Sequence, residues 1–255
     1  MKANLFLSIF LFFVSYLQAQ DSPFSFNSDR PGQCYSPATV DKGYLTLEAG
    51  LSLDIMAGVN QWGLAVHDFR YGLIKNLELK AGVRTFLSKL KGIDEPIMDA
   101  SLMSGLKWRI VNKKVQLAYV AEVYIPIYPS IVSAQHALNL SHAVGKKVSF
   151  YYMFLHQYNF EYLQFKDYIG SLQFSFLSSF ALYDNWSFYV EFSGRWDNSG
   201  KTALQVLYDA GITYMLKDNL QLDFYFGQGL NYSNATFGLG LSWLPLKKKQ
   251  QAKLH

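Results

Sequence analysis

The sequence predicts an all-β protein: a transmembrane, antiparallel, up-and-down β-barrel of about 12 strands, preceded by a signal peptide. Three observations predict this fold: an apolar N-terminus of the length of an export signal, a period-two alternation of apolar and polar residues along the rest of the chain, and the confinement of charges to one phase of that alternation. Successive side chains of a strand point to opposite faces. The pattern therefore builds one apolar and one polar face, as the outside and inside of an outer-membrane barrel require.

Residues 1–20 have the features of a secretory signal peptide. Lys2 supplies the positive start, the stretch from Leu5 to Leu17 is almost wholly apolar, and Ala19 offers a small residue for cleavage. The apolar stretch is shorter than the roughly 20 residues of a spanning helix, which makes a membrane anchor the weaker alternative. We therefore expect an exported protein of a Gram-negative outer membrane.

Residues 21–42 contain three prolines and show no alternation, which predicts an irregular N-terminal segment. Residues 43–246 are expected to form the barrel and residues 247–255 a basic tail. A count of ten or fourteen strands is the alternative. The predicted strands cover about residues 43–57, 61–74, 77–87, 97–110, 115–127, 135–144, 148–159, 167–183, 186–196, 202–216, 220–230 and 235–246.

The connections fall into two alternating classes, which is typical of bacterial outer-membrane barrels with short periplasmic turns and longer outer loops. Longer and more irregular links separate the short turns, which lie at residues 75–76, 112–114, 145–147, 184–185 and 217–219.

The phase of each strand assigns its faces. In the third predicted strand, Leu77 and Leu79 share the outer phase, whereas Glu78 and Lys80 share the inner one. A charge on the lipid face would cost about 2–4 kcal/mol at the bilayer midplane. The last strand ends its apolar phase at Trp243, a pattern that we expect the barrel-assembly machinery to recognise.

Composition excludes several other classes of protein. Aromatic residues reach 17% although no helical pattern is present to bury them, and the rings of a barrel can face lipid. Without Lys2 and the four lysines of the tail, 18 basic residues remain against 19 acidic ones, so the body carries no basic surface for nucleic acid. Cys34 is the single cysteine and forms no internal disulfide.

The polar interior is the candidate site. Two readings stay open: a narrow lumen in which the charges pair with one another, and a lumen in which a subset lines a path for a solute. The predicted lumen and solute contacts are Arg70, Glu78, Lys80, Arg84 and Glu122. They belong to a larger set of inward charges that also includes Glu48, Asp54, Asp68, Asp99, Lys107, Arg109, Glu191, Arg195, Asp209 and Asp223.

The N-terminal segment is expected to act as a plug through Asp29, Arg30 and Pro31. Our hypothesis is that it folds into or across the periplasmic mouth, where Arg30 pairs with a lumen carboxylate such as Glu48 or Glu78.

The residue patterns give little support to an enzymatic function. Some outer-membrane barrels hydrolyse lipids with a Ser–His pair, but Ser141 and its neighbour His142 would point to opposite faces. The histidines are scattered over several strands, which gives no metal cluster, and no residue pattern indicates a nucleotide or another cofactor.

Several blocks of the sequence resemble a known family of bacterial outer-membrane transporters, named for the MetA-pathway of phenol degradation. The most specific block is Ser28-Asp29-Arg30-Pro31, followed by Ser36-Pro37-Ala38-Thr39-Val40, Lys42-Gly43 and Glu48-Ala49-Gly50. The later blocks are weaker: Arg70-Tyr71-Gly72-Leu73, Leu77-Glu78-Leu79-Lys80 and the ending from Phe237 to Trp243. The chain departs from the family at Ile125-Pro126-Ile127-Tyr128, where Leu-Pro-Thr-Gly is usual. The resemblance implies an outer-membrane barrel with a transport role and specifies no substrate.

Together, these observations favour a passive transporter of small, hydrophobic or aromatic solutes, with no enzymatic activity. Its expected partners are outer-membrane lipid, the barrel-assembly machinery and the solute. A plugged barrel with a structural or adhesive role is the second hypothesis, and a lipid-modifying enzyme is the third.

Overall fold

The computed structural model describes residues 26–127, 131–161, 164–183, 185–197 and 203–245. The predicted signal peptide at residues 1–20 and the predicted basic tail at residues 247–255 lie outside these ranges. The N-terminal segment is described from Phe26 onward.

Twelve antiparallel strands form one closed barrel, in which each strand pairs with its neighbours in sequence and β1 pairs with β12. The predicted fold class and strand number are therefore confirmed. The strands are β1 (Leu45–Met56), β2 (Val59–Ile74), β3 (Leu77–Leu90), β4 (Ile97–Asn112), β5 (Val115–Pro126), β6 (Ile131–Val144), β7 (Val148–Glu161), β8 (Gln164–Tyr183), β9 (Trp186–Asp197), β10 (Gln205–Lys217), β11 (Leu220–Gly229) and β12 (Asn234–Trp243).

Two features of the connections differ from the prediction. β6 and β8 begin three or four residues earlier than expected, because backbone pairing such as Ile131 with Glu161 continues beyond the region of clear alternation. The links at the second end of the barrel are not uniformly long. β1 and β2 are separated only by residues 57–58, and β7 and β8 only by residues 162–163.

The two faces of the barrel have the composition that the alternation predicts. Large apolar side chains such as Leu106 and Phe224 are exposed on the outside, whereas Arg70, Glu78 and Lys107 are completely buried inside. In the part of the chain that the structure describes, no helix has the length and apolar character needed to cross a membrane. The exposed apolar belt of the strands is the surface that faces lipid.

The interior of the barrel is occupied by residues 26–44, which we call the lumen segment. The segment joins β1 at the end that carries the short turns, where the Gly43 amide donates to the Gly72 carbonyl (2.7 Å) and the Gly72 amide donates to the Tyr44 carbonyl (3.0 Å). A Cβ atom on Gly72 would collide with the backbone oxygen of Asp41. Glycine at this position therefore lets the segment pass closely over the barrel wall.

Candidate functional site in the barrel lumen

The centre of the site is the buried carboxylate of Asp29, which the lumen segment carries into the barrel. The carboxylate lies 3.5 Å from the Arg70 guanidinium, 3.2 Å from the Lys80 ammonium and 2.5 Å from the Lys107 ammonium. These cations come from β2, β3 and β4, so one side chain of the segment contacts three neighbouring strands. We call Asp29 and its ionic partners the Asp29 cluster.

Three carboxylates of the barrel wall complete the Asp29 cluster. Arg70 donates to Glu48 and to Glu78, each at 2.8 Å, and Lys80 lies 2.6 Å from Glu122. The cluster thus joins four carboxylates to three cations, all of them buried. Buried charges need partners of opposite sign, and this arrangement supplies them.

The electrostatics of the Asp29 cluster favour the charged form of Asp29. Burial alone would raise the pKa of its carboxyl, but Arg70, Lys107 and Lys80 hold that pKa well below the usual range. The backbone amide of Asp29 also donates to Glu48 at 3.0 Å, and the Val40 amide donates to Glu78 at 2.7 Å. Both the side chain and the backbone therefore dock the lumen segment onto the wall.

A second contact of the segment extends the cluster around Glu122. The Tyr124 hydroxyl and the Gln135 amide each donate to Glu122 at 2.5 Å, and the Tyr35 hydroxyl of the segment donates to it at 3.4 Å. The Arg84 guanidinium lies 4.4 Å from the centre of the Tyr124 ring, a cation–π geometry.

Arg30 binds the opposite side of the lumen. Its guanidinium pairs with Asp223 of β11 at 3.2 Å and donates to the Leu239 carbonyl of β12 at the same distance. The lumen carboxylate that Arg30 binds is Asp223, one of the predicted inward charges. The two carboxylates named as examples of its partner, Glu48 and Glu78, are both bound to Arg70.

Two glycines make the position of Arg30 available. Gly50 of β1 and Gly240 of β12 face each other across the seam that closes the barrel. A Cβ atom on either residue would overlap the Arg30 guanidinium. The absence of side chains at this pair is therefore what allows Arg30 to lie against the wall and reach Asp223.

Pro31 leads into a stretch that packs on β9. The Gln33 amide donates to Glu191 at 2.8 Å, and a Cβ atom on Gly32, which has a φ of 96°, would approach the same carboxylate. Cys34 is buried beside this contact. Its burial, together with Glu191 and Asp29 nearby, raises the pKa of the thiol well above its usual value.

One side of the lumen wall is apolar. Cys34 packs against inward-facing side chains of five adjacent strands, which we call the apolar strip: Val120, Ala137, Met153, Leu155, Leu177 and Tyr189. Each of these residues is less than 10% exposed. The inward charges gave no indication of this strip, which was not predicted. Its signal was present in β5 and β7, where Val120 and Met153 stand in the inner phase of their strands.

Two cavities lie on either side of the lumen segment. The outer vestibule has a volume of about 580 Å³ and lies at the end away from the short turns, where its lining includes Asp54, Arg195, Asp209 and Tyr232. The inner cavity has a volume of about 200 Å³ and is lined by residues 26–31 of the segment together with β7–β11. Gln33 borders the first cavity and Cys34 the second, so the segment separates them.

The structure brings four of the five predicted lumen contacts, Arg70, Glu78, Lys80 and Glu122, into the Asp29 cluster, and the fifth, Arg84, lies beside it. Lys107 belongs to the cluster as well, although it was predicted only as an inward charge.

Ser141 and His142 lie on opposite faces of β6. Ser141 is buried on the inner face, whereas the ring of His142 stacks with Tyr152, a side chain of the outer face.

The architecture matches that of solved outer-membrane barrels. The crystal structure of the COG4313 outer membrane channel from Pseudomonas putida F1 superposes with a TM-score of 0.63 at 11% identity, covering 85% of this chain and 99% of that chain. The NanC porin superposes with a TM-score of 0.55 at 7% identity, covering 77% and 98%. At these identities the likeness concerns the fold. No curated protein matches the sequence.

The family assignment comes from the sequence. A family model described as "Putative MetA-pathway of phenol degradation" matches residues 28–244, which include both the lumen segment from Ser28 onward and all twelve strands. A closed barrel with an apolar outer belt and a charged interior is an outer-membrane structure. The chain is an outer-membrane β-barrel that belongs to this MetA-pathway family.

Proposed function

We propose that the protein is a passive outer-membrane transporter of small hydrophobic or aromatic solutes, without catalytic activity. The observation that carries the proposal is the apolar strip, which lines one side of an otherwise polar lumen behind a segment that is not part of the barrel wall. An apolar lumen surface is costly to expose to water and favourable for binding an apolar solute. The family description, which names phenol degradation, agrees with this class of solute.

The lumen segment is the gate in this proposal. Asp29, Arg30 and Pro31 hold it in the closed position, and its displacement joins the outer vestibule to the inner cavity. Arg70, Glu78, Lys80 and Glu122 are buried under the segment, so they contact solute only after the segment has moved. The COG4313 protein of Pseudomonas putida, which shares the fold, is described as an outer membrane channel.

A permanently plugged barrel with a structural role is the second candidate. The ion pairs of the Asp29 cluster and the Arg30–Asp223 pair favour it, because together they fasten the segment to both sides of the lumen. The two candidates differ in whether a solute ever reaches the apolar strip.

Current recordings in planar bilayers, with and without phenol, distinguish the candidates. If the protein is a transporter, we expect phenol to change the current, and we expect this change to saturate as the phenol concentration rises. Met153→Gln, which places an amide in the apolar strip, should weaken that response at least several-fold. Met103→Gln is the matched control, because Met103 is also buried and faces the lumen from β4, away from the strip. A folded barrel with no current and no response to phenol would support the structural candidate.

A further inference from the structure

Two buried carboxylates beside the lumen segment have no cationic partner among the described residues. Glu191 of β9 and Asp209 of β10 are directly opposite each other in the strand register and both face the lumen. Among the residues that the structure describes, no Lys, Arg or His forms an ion pair with either carboxylate. Like charges directly opposite each other destabilise a sheet, and buried carboxylates require compensation.

Of these two carboxylates, Asp209 has incomplete hydrogen bonding and Glu191 does not. Glu191 accepts bonds from the Gln33 amide at 2.8 Å and from the Ser193 hydroxyl at 3.3 Å. Asp209 is 3% exposed, yet its Oδ1 atom has no hydrogen-bond partner among the described residues. The Tyr189 hydroxyl, on an equally buried residue, lies beside the Asp209 carboxylate. A buried carboxylate oxygen without a partner is unusual in a protein interior, and it marks a place for a ligand.

The surroundings of Asp209 indicate the shape and charge of that ligand. Asp209 lies on the wall of the outer vestibule, whose volume of about 580 Å³ is large enough for a small organic molecule. Tyr225 and Tyr232 contribute aromatic rings to the same vestibule, and Leu207 contributes an apolar side chain. Aromatic faces and carboxylates both attract organic cations. The described residues contain no group of three or more potential metal ligands, which favours an ammonium ion over a divalent metal.

Other charges of the vestibule leave this site acidic. Asp54 lines the same cavity and accepts a bond from Thr236 at 2.5 Å. Arg195 is the basic side chain of the lining. It is exposed and lies four residues beyond Glu191 along β9, which places it toward the outer mouth. Its charge is therefore more hydrated than that of Asp209, which is buried.

We propose that the floor of the outer vestibule is a binding site for a compact aromatic or alkyl ammonium ion. The ammonium group donates a hydrogen bond to Asp209, and the apolar body of the ligand packs between Tyr225 and Tyr232. The negative charge of Glu191, which is buried directly beside Asp209, adds to the attraction. This inference adds a solute class to the proposed transport function and relies on that function only for what happens after binding. The binding itself requires neither an open lumen nor movement of the segment.

Calorimetric titration of the refolded mature protein with benzylammonium, and with benzyl alcohol as its neutral counterpart, tests the site. We expect saturable binding of benzylammonium at one site and at least tenfold weaker binding of benzyl alcohol. Asp209→Asn should weaken benzylammonium binding at least tenfold, and Glu191→Gln should weaken it in the same direction. Asp99→Asn is the matched control, since Asp99 faces the lumen from β4, is exposed and is absent from the vestibule lining. Its affinity should stay within twofold of the wild-type value.

The comparison of the two ligands on the unmodified protein keeps the test decisive if a variant fails to fold. Equal affinities for benzylammonium and benzyl alcohol, or no binding of either, would overturn the proposal, because the carboxylate pair would then be compensated by protons. Current recordings separate this site from transport. Benzylammonium binding without any effect on current would support the site and count against the transport function, whereas a phenol-sensitive current without benzylammonium binding would do the reverse.

Discussion

At the scale of single residues, Asp29 determines how the lumen segment is held. It brings one negative charge within 3.5 Å of Arg70, Lys80 and Lys107, and so links the segment to three strands of the wall. Removing one partner from a buried ionic network costs up to about 3–5 kcal/mol. Loss of Asp29 removes a contact that three cations share, although Glu48, Glu78 and Glu122 still pair with them. The lumen can relieve this cost by releasing the segment and admitting water.

Asp29→Asn is therefore expected to undock the segment. Cys34 is the natural reporter, because it is the single cysteine and is only 5% exposed in the docked segment. Each 1.4 kcal/mol corresponds to a factor of ten in an equilibrium, so maleimide should label Cys34 at least tenfold faster in the variant than in the wild type. Asp99→Asn, which alters an exposed lumen-facing carboxylate, should leave the rate unchanged. Equal rates for Asp29→Asn and the wild type would refute the role of Asp29.

The lowered pKa of Asp29 sets the pH range in which its contacts persist. A carboxyl whose pKa is depressed in the folded state contributes stability above its unfolded pKa, near 4, and that contribution is lost as the pH falls through the folded value. The wild-type barrel should therefore keep a low current between about pH 5 and pH 8, with opening confined to stronger acid. Asp29→Asn should already be open at pH 7. A wild-type current that rose between pH 8 and pH 5 would show that another group controls docking.

At the scale of elements, the seam between β1 and β12 does more than close the barrel. Gly50 and Gly240 leave a flat patch of backbone on which the Arg30 guanidinium lies, and Asp223 on β11 faces the same patch. Residues near both ends of the chain thus form one binding surface for the segment. The β1–β12 seam is paired regularly and without a register shift, so what distinguishes it is the lack of side chains at Gly50 and Gly240.

Gly240→Ala should act through Arg30. The added methyl group would overlap the guanidinium, so Arg30 must leave Asp223. The Cys34 labelling rate should therefore rise, and we expect the same rise in Arg30→Ala. In a double-mutant cycle, Gly240→Ala should have little further effect when Arg30 is already alanine. Additive effects of the two changes would mean that the glycine serves the barrel itself and not the position of Arg30.

The elements show what could be predicted from the sequence and what could not. The alternation of β1 and β3 assigned their faces, because a half-buried strand imposes a strict period of two. The start of β6 was missed, since pairing of Ile131 depends on a partner 30 residues away in β7. The inward charges were identified by phase, but phase gives no information about partners. Arg30 pairs with a residue 193 positions later in the chain, which only the closed barrel brings near.

At the scale of the whole molecule, the barrel and the lumen segment are separable structures. Every strand is paired on both sides within the barrel, so closure of the sheet does not require the segment. The segment instead supplies the contents of the lumen: ionic contacts on the β2–β4 side, a guanidinium at the β1–β12 seam, and an apolar contact on the β5–β9 side. A barrel without the segment should retain its wall and gain a water-filled interior, in which the charges of the Asp29 cluster are hydrated.

We propose that residues 26–44 close a lumen that would otherwise conduct. The decisive measurement is the single-channel conductance of the mature barrel, compared with that of a variant lacking residues 26–40. Far-UV circular dichroism and heat-modifiable migration in gels confirm that both proteins are folded barrels. We expect the deletion to raise the conductance several-fold and to abolish the current changes caused by acid. A folded deletion variant with the same conductance as the wild type would contradict the account, because the lumen would then be closed by the barrel wall itself.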